Sequence, residues 1–268
     1  MPSDASRQNW KSGISWTVRE CVFFRNAATF YAGSNYVGDV WPIELTSEDT
    51  SYIQNQAYFP VHEFIIYSSI AGLTRRTGSS SIVHSTAHFD GGHESEGLTG
   101  FVASSIITLD PNDDPGATLD ITQDRTTFVD HGVPIWGIVL QVGGQWPPRS
   151  DQQGRWNLDL IDFEMNRNPA VSPGGSTWDG AYGHFPGLYR MLVERSRFEG
   201  NGNPDSAAKG MGGMQLHWGG NHSPENRPHA RFVDSTWRRN FAASGPAVGL
   251  LSGQGEASFD NCLMQGVK

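Results

Sequence analysis

The sequence predicts an all-β chain wound as a parallel solenoid of about eight coils. Three observations predict it. A short pattern recurs along the chain: an aromatic residue, two further residues, then Asn, His or Gly. Its occurrences are 26 to 39 residues apart. The composition adds 32 Gly and 15 Pro in 268 residues, with 37% hydrophobic and 18% charged residues. That many turn formers argue against a helical bundle, while the 11% aromatic content argues against disorder.

Residues 1–13 precede the first occurrence and read as an extension or partial cap. Residues 14–268 read as the solenoid. The pattern ends at Asn26, His62, Gly92, His131, Asn166, Asn201, Asn240 and Gly266. Two columns define its inner face. One is Phe23, Phe59, Phe89, Phe128, Phe163, Phe198, Trp237 and Leu263. The other, two positions earlier, holds small residues such as Cys21, Ala87, Thr126, Ser196 and Ser235. Large and small residues at period two describe a strand with one face inside. The Asn, Gly and His of the last column enter the left-handed backbone region at least cost, so that column predicts a sharp turn. Stacking the coils would bring each ring about 4.8 Å from the next. A β-sandwich has similar turns, but it does not require one residue class at one offset every coil.

Charge and hydropathy exclude several function classes. The net charge is −9 and no basic stripe exists, which is unlike a nucleic-acid binder. No run of eighteen apolar residues occurs, so no membrane span is expected. No apolar segment follows Met1, so the chain as given carries no signal peptide. Two cysteines, Cys21 and Cys262, give no disulfide framework.

The pattern small-x-Phe-x-x-Asn, as in Ser196-Arg197-Phe198-Glu199-Gly200-Asn201, resembles the repeats of pectate-lyase-like proteins. The resemblance covers about residues 14–268. It implies a single-stranded, right-handed parallel β-helix with stacked asparagines at one turn and aromatics inside. It also implies an extracellular or cell-surface setting and a polysaccharide partner. It does not fix an activity, because such repeats serve polysaccharide lyases, glycoside hydrolases, phage tailspikes and adhesins. The last coil carries no polar cap, which leads to the expectation that the solenoid continues or that a partner covers its end.

Two patches are candidate sites. Asp179, His184 and His217 are candidate catalytic groups, with Tyr182, Gln215, Trp218 and His222 as substrate-binding neighbours. Aromatic faces beside polar groups suit a sugar ring, which stacks its C–H face and hydrogen-bonds its hydroxyls. The alternative catalytic set is Asp162, Glu164 and Arg197, expected on the outer face of adjacent coils, with Asp162 beside Arg197. Surface ion pairing is the competing reading of that set. Asp110, Asn112 and Asp114 alternate as a calcium loop does, and equally as a turn does. His84, His88 and Asp90 would share one strand face, too widely spaced for one metal unless the strand bends. Val129-Asp130-His131 resembles a pair found in some pectate lyases, but His131 falls in the turn column. The expected function is a carbohydrate-active β-helix that binds a polysaccharide and, if catalytic, cleaves it as a lyase or hydrolase. A non-catalytic adhesion module and a structural stalk or tail fragment are the alternatives.

Overall fold

The structure is a computed structural model. It describes residues 14–28, 35–38, 43–57, 63–66, 79–91, 105–108, 118–130, 141–143, 155–168, 188–201, 214–217, 227, 229–241, 248–252 and 255–266. Every element among these residues is a strand, every strand pairing is parallel, and no helix is long and apolar enough to cross a membrane.

Each of eight coils gives one strand to each of two sheets. The first sheet runs β1 (Ile14–Arg19), β5 (Ile43–Glu48), β9 (Ser79–Ser85), β12 (Thr118–Asp124), β15 (Arg155–Ile161), β17 (Leu188–Glu194), β20 (His229–Val233) and β23 (Glu256–Asp260). The second runs β2 (Val22–Phe24), β6 (Ser51–Ile53), β10 (His88–Asp90), β13 (Thr127–Val129), β16 (Glu164–Asn166), β18 (Arg197–Glu199), β21 (Thr236–Arg238) and β24 (Leu263–Gln265). Shorter strands follow the second sheet. β3 (Ala27–Ala28) pairs with β7 (Gln56–Ala57). β4 (Asn35–Gly38), β8 (Glu63–Ile66), β11 (Ser105–Thr108) and β14 (Gln141–Gly143) form one sheet, and β19 (Met214–His217) pairs with β22 (Val248–Ser252). This is the eight-coil parallel β-solenoid that the repeat predicts.

One left-handed corner shapes each of the eight coils, and a second shapes the first seven. Between the sheets stands a single residue at φ 48–54°: Glu20, Asp49, Thr86, Arg125, Asp162, Arg195, Asp234 or Asn261. After the second sheet stands another at φ 50–67°: Arg25, Gln54, Gly91, Asp130, Arg167, Gly200 or Arg239. Thirteen of these fifteen are not glycine, and each pays a steric penalty of about 1–2 kcal/mol. Inter-coil hydrogen bonds offset it, since the corner N–H groups bond to the next coil, as Arg195 N does to Val233 O at 3.0 Å.

Side chains reinforce both corners. Past the first corner, Ser196 Oγ donates to Glu194 O at 2.9 Å and accepts from Phe163 N at 3.1 Å. Ser235 Oγ repeats this one coil on, accepting from Ser196 N at 3.0 Å. Past the second corner, an asparagine ladder forms. Asn168 Nδ2 donates to Asn201 Oδ1 at 2.9 Å, and Asn201 Nδ2 donates to Asn240 Oδ1 at 3.0 Å. Asn55 Nδ2 donates to Phe23 O at 3.2 Å in the same manner. The asparagines therefore do not take the left-handed conformation that the sequence pattern predicts; the residue before each of them does.

Inside lies one continuous stack of rings. Phe23, Tyr52, Phe89, Phe128, Phe163, Phe198 and Trp237 follow one another with centroids 4.3–5.7 Å apart. Three positions of the sequence frame change. Tyr52 holds the place expected for Phe59, which lies outside the described residues. Met165, not Phe163, pairs with Phe128 and Phe198, and Phe163 reaches the stack from the corner position that Ser196 occupies one coil later. Met264, not Leu263, pairs with Trp237.

Candidate functional site

The constant frame decides what can vary. In each coil described through both corners, the first left-handed residue precedes the second by the same number of residues. Yet equivalent positions of successive coils are separated by as few as 27 and as many as 39 residues. All variation in length falls between the second corner and the next first-sheet strand.

On the constant part, charged groups satisfy one another. Asp162 sits at the first corner, not beside Arg197. It accepts two hydrogen bonds from Arg195, Nε at 2.8 Å and Nη2 at 3.0 Å. Glu164 and Arg197 are direct neighbours across β16 and β18, and Arg197 is ion-paired with Glu199 on its own strand. Arg195 holds the Asp162 carboxyl below its ordinary range. Arg197, aided by Arg238 and Arg239, does the same for Glu199. Carboxyls held in this way are ionised at neutral pH and unsuited to donate a proton as a general acid. Asp130 likewise receives two bonds from Arg167, at 2.9 and 2.7 Å, at the second corner.

The metal candidates separate. His84 and His88 lie on different sheets, with the Thr86 corner between them. His84 points inward, fully buried, with Nδ1 2.7 Å from Gln123 Nε2. His88 points outward, 3.9 Å from Asp90. Among the described residues no group of three or more His, Cys, Asp or Glu could hold a metal ion. Asp110, Asn112 and Asp114 lie outside the described residues.

The other patch falls on the variable part of the coil. Gln215 and His217 are on β19, whose pairing with β22 changes register between Leu216 and His217. Asp179, Tyr182, His184, Trp218 and His222 lie outside the described residues.

Matched against family models, curated proteins and solved structures, the chain has no counterpart in any of the three. Function must be read from its own chemistry.

Sequence reasoning missed one face, the outer side of the first sheet. Asp120, Asn157, Arg190 and His229 are successive neighbours across β12, β15, β17 and β20. Asn157 Nδ2 donates to Asp120 Oδ1 at 2.7 Å, and Arg190 Nη2 donates to Asp159 Oδ2 at 3.0 Å. Asp159 Oδ1 is enclosed and has no partner among the described residues. The pairing of β15 with β17 skips Tyr189 here, a bulge beside Arg190. The signal was present in the sequence. Each first-corner residue follows a strand, and the alternate residues of that strand must face outward.

Proposed function

We propose that the protein is a carbohydrate-binding β-helix, related in mode to pectate-lyase-like proteins, whose main site is built on the variable part of its coils around β19. The single observation behind this reading is the division of each coil into a constant and a variable part. A rigid scaffold of fixed length carries connecting segments of free length, the arrangement in which binding groups usually reside. Trp218, Tyr182, His184 and His222 belong to those segments by sequence, and His217 stands where β19 and β22 change register. Asp162, Glu164 and Arg197 are already committed to Arg195, Asn166 and Glu199, which favours the β19 patch over the alternative set. In this reading Trp218 and Tyr182 offer ring faces, while Gln215 and the histidines bond hydroxyls. Where cleavage accompanies binding, Asp179, His184 and His217 are the groups able to move protons.

A glycan array on the full chain tests it, followed by titration of the best binder. His217→Ala and Trp218→Ala should each weaken that binder about tenfold, as loss of one hydrogen bond or one stacking face implies. Asp162→Asn should leave it unchanged. Undiminished binding by both β19-patch variants would sink the site, and loss on Asp162→Asn alone would move it to the corner. Product analysis then separates elimination, hydrolysis and simple binding.

A further inference from the structure

Among the side chains that are described, the outer face of the first sheet carries eight carboxylates and three arginines, and Arg155 holds a further outward register position on β15. These three arginines are each tied to a carboxylate: Arg19 to Glu48 at 2.8 Å, Arg190 to Asp159 at 3.0 Å, and Arg231 to Asp260 at 3.8 Å. An anionic ligand would meet a surplus of negative charge on this face. Such a juxtaposition of like charge selects against a partner rather than for it.

The middle of the face is different in kind. Asp120, Asn157, Arg190 and His229 form a strip along the solenoid axis, one strand spacing apart, and both acceptors and donors occur in it. Asp120 and His229 are exposed, and Asn157 and Arg190 are half-exposed. Asp120 uses one oxygen on Asn157, so its second oxygen remains an open acceptor among the described residues. Arg190 uses one of its nitrogens on Asp159, so others remain open donors among the described residues. Asp159 Oδ1 is an acceptor for which the described chain supplies no donor. The Tyr189 bulge stands beside the strip in a sheet whose other described pairings keep register, and bulges commonly re-aim side chains next to sites.

A hydroxyl group donates and accepts at once, so it matches a strip that offers both. A carboxylate or sulfate only accepts, and it would face Asp120, Asp159 and Glu256. We propose that Asp120, Asn157, Arg190 and His229 bind a neutral, hydroxyl-bearing sugar, and that the carboxylates around them exclude uronates and other polyanions. The proposal rests on the glycan-binding reading above and adds both a second contact face and a ligand class.

The test uses the full chain and a panel of neutral and uronate oligosaccharides of equal length, titrated at low and at physiological salt. The best binder should be neutral, and its affinity should change little with salt. Asp120→Asn and His229→Ala combined should weaken it about tenfold while the melting temperature holds, because both side chains are exposed. Arg190→Lys keeps the charge but not the fork geometry, and should weaken it too. A uronate as the best binder would overturn the proposal. So would full affinity in the Asp120/His229 variant while His217→Ala and Trp218→Ala lose theirs, an outcome that leaves the main site standing. Binding of no glycan at all would remove the glycan-binding reading itself, and this proposal with it.

Discussion

Asn201 has four side-chain hydrogen bonds in a fully buried position. Its Oδ1 accepts from Asn168 N at 3.2 Å and Asn168 Nδ2 at 2.9 Å, and its Nδ2 donates to Met165 O at 2.7 Å and Asn240 Oδ1 at 3.0 Å. Each such bond contributes about 0.5–1.5 kcal/mol net, and a buried partner left unsatisfied costs more. Glycine provides none of them, and Asn201 does not use the left-handed region where glycine would help. Asn201→Gly should therefore be no better than Asn201→Ala, with each losing about 2–4 kcal/mol in denaturant melts. Gly200 makes the opposite demand. It sits at φ 67°, where an added Cβ would find its nearest neighbour at 3.9 Å, so backbone conformation alone decides. Gly200→Asn should be nearly neutral and Gly200→Val costly, since β-branched residues resist this region. An Asn201→Gly variant that melts like the parent would return the left-handed role to the asparagine column.

At the scale of the strand, Glu199 on β18 shows how the second sheet manages its charges. Its side chain is 19% exposed and ion-paired with Arg197, with Arg238 directly opposite on β21. These arginines lower its pKa in the folded state. Its contribution is then complete above the ordinary glutamate value of about 4.3 and is lost as pH falls through the lower folded value. Glu199→Gln should flatten the acid limb of the stability curve below about pH 5 relative to the parent. Parallel acid limbs in pH-dependent melts would show that the pair contributes nothing. The strands also explain what could be read from the sequence. Phe89, Phe128, Phe198 and Trp237 were legible because a ring and a turn residue recur at fixed offset. Coil two misled because Phe59 to His62 imitates the frame, whereas the true unit, Thr50 to Asn55, presents Tyr52. Coil five offered Asn166 two residues before the true ladder member, Asn168. A slip of two preserves the face, so Phe163 remained interior, but it moved Asp162 from a strand to a corner. Coil eight slipped by one, which reverses the face: Met264, not Leu263, stands opposite Trp237. The first sheet stayed hidden because its inward column mixes Ser47, His84 and Gln123 with apolar residues, and the missed polar strip lay on its other side.

At the scale of the molecule, a solenoid built on a constant frame is quasi-one-dimensional, and each coil contacts chiefly its neighbours. Equivalence between coils is then a physical statement that deletion can test. Arg195 and Asp234 are the same corner one coil apart, and the hydrogen bond from Ser196 N to Ser235 Oγ spans the 39 residues between equivalent positions. Removing residues 196–234 would join Arg195 to Ser235. Trp237 would take the place of Phe198 above Met165, and Asn240 would take the place of Asn201 beneath Asn168. The ring stack and the ladder would close over the gap. This seven-coil chain should keep the parent's oligomeric state and a strand-type circular dichroism spectrum with cooperative melting. A deletion shorter by three residues, which throws corners against strands, should collapse or aggregate. The in-register deletion also removes β19 with His217, and Trp218 and His222 with it, so glycan binding at the main site should vanish while the fold persists. That combination would separate the scaffold from the chemistry it carries. If both deletions failed alike, the coils would not be equivalent units, and the division into constant scaffold and variable site would fail with them.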